Sequence, residues 1–168
     1  MRDDLLETYL NDHLAGATAA VHLTRRCRDR HAEGALGPFF AELLEEIEHD
    51  REVLRGLFTR IDRTASPAKK AVGWLAEEAS RAKLRDLATD ALDFLEALDG
   101  LSAGIEGKRA LWAALRAACA SDPRLRDVDF AELMRRAEHQ HAQVEAQRIE
   151  AARRVFGAED ASYASEGP

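Results

Sequence analysis

The chain has 168 residues and a formal charge of −7; 33% of its residues are charged and 46% hydrophobic, with aromatics at only 6%. That length suits one domain, large enough to bury a core without disulfides or metals to staple it. The acidic balance repels phosphate at long range and argues against a general binder of nucleic acid or anionic membranes.

Cys27 and Cys119 are too few and too isolated for a disulfide framework or a zinc site. The opening stretch, MRDDLLETYL, lacks the apolar segment of a signal peptide. No apolar run approaches the roughly 20 residues that span a bilayer. The expectation is a cytoplasmic protein with neither membrane nor nucleic acid as partner.

Four prolines, ten glycines and no run of alternating β-branched and aromatic residues predict an all-α chain. A first long helix should start near Asp3 or Asp4 and run to about His31. Its basic end, TRRCRDRH at 24–31, complements the C-terminal dipole and reads as a solvated face. HAEGALGP then breaks it, with Gly34 and Gly37 free to adopt turn geometry. The second helix runs from about Pro38 to about Asp62. Ser66 and Pro67 read as the cap and first residue of a shorter helix over about 67–83. A third long helix is expected from about Arg85 to Ala120, and SDPRLRD turns the chain into a fourth, from about Val128 to Phe156. Residues 1–156 thus form one domain, and 157–168 read as a disordered tail.

Short links pair the first helix with the second and the third with the fourth as antiparallel hairpins. The short helix between them covers roughly 25 Å, enough with its flanks to travel the length of a bundle. The third helix would then run parallel to the second.

Two motifs sit on this frame: EEIEHD at 45–50 and RAEHQH at 136–141, giving Glu46 with His49 and Glu138 with His141. Hairpin, crossover and hairpin, with Glu-x-x-His on the second and fourth long helices, resembles the ferritin-like superfamily over about residues 3–156. The resemblance implies a di-iron or di-manganese carboxylate centre at mid-bundle, with a further glutamate from each of the other two helices. Glu46, His49, Glu106, Glu138 and His141 are the candidate ligands. The resemblance also makes a homodimer plausible, with Trp74 of the crossover helix at its edge or in a subunit contact.

Helical periodicity tests which side chains face inward. The second helix carries an inward stripe of Phe40, Leu43, Ile47, Asp50, Leu54, Leu57 and Ile61, leaving Glu46 at its edge and His49 pointing away. On the fourth, His141 faces inward with Phe130, Leu133, Ala137 and Val144, and Glu138 is marginal. Glu106 lies off the stripe of the third helix, on which Trp112 reads as core. The first helix offers no inward glutamate: its stripe is Leu6, Leu10, His13, Ala17, Ala20, Thr24 and Cys27. A second constellation is therefore expected from His13, Asp50, His141 and Arg148, with Arg109 at its margin: a buried polar network, or alternatively a site for a single ion. Asp50 needs a partner, because burying it alone costs several kcal/mol.

Three functional readings follow. The first is a ferritin-like bundle with a degenerate metal site, working as a non-catalytic binding or interaction protein. The others are a di-iron or di-manganese oxidase, peroxidase or iron-handling protein, and a plain helical partner-binding module.

Overall fold

The computed structural model describes residues 2–62 and 90–157. They form four packed helices: α1 (Arg2–Arg30), α2 (Gly37–Asp62), α3 (Asp90–Ala118) and α4 (Phe130–Phe156), with a 3₁₀ turn at Pro123–Leu125 before the last. Among the described residues there is no strand, and no helix is long and apolar enough to cross a membrane. The expected crossover helix over 67–83, with Ser66, Pro67 and Trp74, lies outside the described residues. So do the expected start of the third helix at 85–89 and the tail beyond Gly157.

Local chemistry sets the ends. Between α1 and α2 the backbone folds so tightly that a Cβ on Gly37 would stand 2.7 Å from the Ala32 carbonyl oxygen. A side chain there would force the turn open. Asp122 accepts a hydrogen bond from the Arg124 backbone N–H at 3.0 Å and so caps the 3₁₀ turn. Asp129 does the same for α4, accepting from the Glu132 N–H at 3.0 Å. It places the helix start two residues later than Val128.

Helices α1 and α2 form one close-packed pair and α3 and α4 another, and α1 also lies along α3. The Arg30–Asp90 ion pair, 2.6 Å, joins the end of α1 to the start of α3. At the other end of the bundle, Arg60 near the end of α2 donates to the Arg124 carbonyl at 3.5 Å. Residues 62 and 90 therefore stand at opposite ends.

The apolar interior divides into two clusters. One gathers Val21, Phe40, Leu43, Ile47, Leu98, Leu101, Ile105 and Val144 toward the α1–α2 turn. The other gathers Leu10, Leu54, Leu57, Ile61, Leu111, Trp112, Leu125 and Phe130 toward the α3–α4 turn. Each fully buried side chain of this size contributes roughly 1.5–3 kcal/mol. The inward stripe of α2 is buried throughout its length, from Phe40 to Ile61. Asp50 is its one polar member, and it lies where the two clusters meet.

Candidate functional site

Asp50 is 2% exposed, and three donor side chains, two of them cations, converge on it. The Lys108 ammonium of α3 donates to its Oδ2 at 2.6 Å, and the Arg136 guanidinium of α4 donates to its Oδ1. Gln140, fully buried on α4, donates its amide N–H to Oδ2 at 3.3 Å and accepts from Lys108 on its own oxygen. Arg136 also reaches the backbone carbonyl of Glu46 at 3.4 Å, tying α4 to α2. The result is a closed layer of two cations, one carboxylate and one amide across the bundle. Burial pushes the pKa of Lys108 below the usual lysine value, against the nearby negative charge of Asp50. Paired this way, Asp50 meets the requirement that a buried charge be both compensated and hydrogen-bonded.

The residues proposed as metal ligands occupy other places. Glu106 is held by Arg109 through two hydrogen bonds, at 2.6 and 2.9 Å, on the outer surface of α3. This contact keeps its carboxyl below the ordinary glutamate pKa. Glu138 is 57% exposed and lies 4.0 Å from the same guanidinium. His49 is exposed. Glu46 is half-buried, and its Oε2 has no hydrogen-bond partner among the described residues. Among the described residues, no group of three or more His, Cys, Asp or Glu side chains is placed to hold one metal ion. The donors do not fit a di-metal carboxylate centre, and the fixed charges of Lys108 and Arg136 would repel a cation at mid-bundle.

His141 and Arg148 belong to a separate cluster on the α3–α4 face. The Ser102 hydroxyl donates to Glu145 Oε1 at 2.6 Å and lies 3.1 Å from His141 Nε2. Arg148 grips the same carboxylate through two hydrogen bonds of 2.8 Å and reaches Asp99 at 3.3 Å. Arg148 and then Ser102 bring the Glu145 pKa down from 4.5 to about 2. A hydroxyl has one proton to give, and here it goes to the carboxylate, so His141 Nε2 must act as donor. Serine activation for nucleophilic attack needs the opposite arrangement, with the imidazole accepting the hydroxyl proton.

His13 lies instead on a cavity of about 210 Å³ between α1, α2 and α3, whose wall also includes Asp50 and Lys108. Burial lowers the pKa of His13. The AGATAA stretch at 15–20 has side chains small enough for another helix to come close. Where Gly16, Ala17 and Ala20 face Gly104 and Gly107, the structure keeps a space. A Cβ added at Gly16, Gly104 or Gly107 would meet nothing within 4 Å. Gly16 and Gly104 are exposed, so this space opens to solvent. Trp112 also forms part of the wall, and its indole N–H is buried without an acceptor among the described residues.

Sequence reasoning found Asp50 and its need for partners, but named His13, His141 and Arg148 instead of Lys108, Arg136 and Gln140. A signal existed. Lys108 falls between Ile105 and Trp112 at the spacing of an inward position, and Gln140 falls equally well between Ala137 and Val144. Arg136 carried no such mark, because its length lets it reach inward from the edge of the stripe. Compared with protein-family models, with curated proteins and with solved structures, the chain matches none.

Proposed function

We propose that this chain is a ferritin-like helical bundle in which an internal ion-pair layer stands where a metal centre would be. On this reading it is a cytoplasmic, non-catalytic binding or interaction protein. The observation that carries the reading is the Lys108 ammonium, held between Asp50 and Gln140 in the bundle interior. A fixed cation there neutralises the carboxylate as a metal ion would. The opposite placement of residues 62 and 90 supports the topology, because joining them requires a connection along the whole bundle, as in ferritin-like folds.

Metal analysis of protein purified from cells supplemented with iron and manganese tests this reading. It predicts far less than one ion per chain, unchanged by Glu138→Ala. About two ions per chain, lost in that variant, would overturn it. The alternative, a di-iron or di-manganese protein, has one observation in its favour: the buried, unpartnered Oε2 of Glu46.

A further inference from the structure

We infer that the outer seam between α1 and α3 is the docking surface for residues 63–89 of this same chain. The surface lies outside the ion layer, so its role is independent of whether a metal centre was lost.

The seam is apolar where a solvated helix face would carry charge. Charged residues make up 33% of the chain. Yet Gly100, Ala103, Gly107, Ala110, Ala114 and Ala117 follow one another on α3 at spacings of three and four, Gly107 half-buried and the rest exposed. Beside them α1 sets Leu5, 69% exposed, and Tyr9, also exposed. The two helices border each other along their length. Leu5 and Tyr9 share a groove with Ala114 at one end, and Gly16 shares the mid-bundle pocket with Gly107. Toward the other end, a Cβ on Gly100 would stand 3.4 Å from Leu23 Cδ2. Large apolar side chains thus flank a floor of small ones, a trough of the kind that receives one more amphipathic element.

The chain's own path says which element. Arg60, two residues before the end of α2, donates to the Arg124 carbonyl, and Arg124 lines the groove of Leu5, Tyr9 and Ala114. The chain therefore leaves α2 at one mouth of the seam. It returns at Asp90, which pairs with Arg30 at 2.6 Å, and Arg30 lines the opposite end together with Leu23. Both ends of 63–89 stand at the two ends of one trough. The other route along the bundle, over α2 and α4, is crossed at mid-height by Arg136, which reaches Asp50 and the Glu46 carbonyl.

Length and pattern agree with this placement. The seam follows α3, whose 29 residues extend about 43 Å, and the 27 residues of 63–89 would cover about 40 Å as helix. Within them Ala68, Ala71, Val72, Leu75 and Ala79 recur at helical spacing, while Lys70, Glu77 and Arg81 fall on the opposite side of the wheel. Small apolar residues on both surfaces permit close approach of the two backbones.

A nitroxide label tests the assignment in the full-length ¹⁵N-labelled protein. It is attached at Glu77→Cys, near the middle of the segment and off its apolar side. Cys119→Ser removes the more accessible native thiol, and buried Cys27 stays. The amide signals of Gly16, Gly104, Gly107 and Ala110 should broaden beyond detection, whereas those of His49 and Arg136 on α2 and α4 should persist. Ala110→Glu should restore the lost signals while thermal unfolding shows a folded chain; Ala114→Glu serves if that variant does not fold. Broadening centred on α2 and α4, or spread evenly over the bundle, would overturn the inference. So would broadening that appears only when labelled ¹⁴N protein is mixed with unlabelled ¹⁵N protein, because a second copy would then occupy the seam. Broadening unchanged by the glutamate variants would overturn the apolar contact as its cause.

Discussion

The bundle holds two clusters of charge that look alike in sequence and differ in setting. Asp50 lies in the interior with its side chain 1% exposed, whereas Glu145 lies on the α3–α4 face at 28%. Each carboxylate faces an arginine and a second donor from α3. In the interior, the charges have left water, and their mutual attraction must offset a large desolvation cost. At the surface, water screens the same contacts and little stability hangs on them. Similar geometry therefore does not mean similar energetic weight.

The contrast should show most strongly in Asp50→Ala. Removing the carboxylate leaves Lys108 and Arg136 facing each other in the core, and urea denaturation should record a loss of about 3–5 kcal/mol. Replacing the layer wholesale, as Asp50→Leu with Lys108→Met, Arg136→Met and Gln140→Leu, should give a chain as stable as the wild type or up to about 4 kcal/mol more stable. If the single variant were as mild as a surface change, the comparison would collapse.

Lys108 gives a second measure. Its folded pKa lies below the reference 10.5, so between those two values the unfolded chain binds more protons than the folded one. Stability contributed by this group should thus rise with pH over that window. The slope of unfolding free energy against pH should be flatter there in Lys108→Met.

The surface cluster gives a slope of the same sign in a more acidic window. Glu145 has its folded pKa near 2 rather than 4.5, so its contribution is present above pH 4.5 and fades as pH falls toward 2. Carboxyl NMR should find that low midpoint. Arg148→Met should raise it more than Ser102→Ala, following the order of the two contacts. At neutral pH, Glu145→Gln should cost under about 1 kcal/mol. The smallest effect is expected for Arg135→Ala, which breaks only an exposed pair with Glu132; thermal unfolding should place it within about 0.5 kcal/mol of wild type.

Much of this organisation was legible in the residues. The four helices follow from turn signals and apolar periodicity, and their ends were misplaced by only a few residues at Asp129 and Ala118. The buried stripe of α2 could be read because its apolar residues recur without a break except at Asp50. The site was less legible. His141 and Gln140 satisfy the same spacing on α4, but neighbouring residues on a helix point about 100° apart. The choice between them depends on how α4 is rotated against α2 and α3.

The sequence alone determined that four amphipathic helices would form and that a carboxylate at position 50 would be buried in need of compensation. Periodicity and desolvation are local or pairwise rules, and they suffice for that. Tertiary packing decided that the compensation comes from Lys108, Arg136 and Gln140, that Glu106 and Glu138 face an arginine at the surface, and that the glycines of α1 and α3 line a pocket open to solvent. Those outcomes depend on helix rotation and separation, which many side chains set together and no single motif encodes.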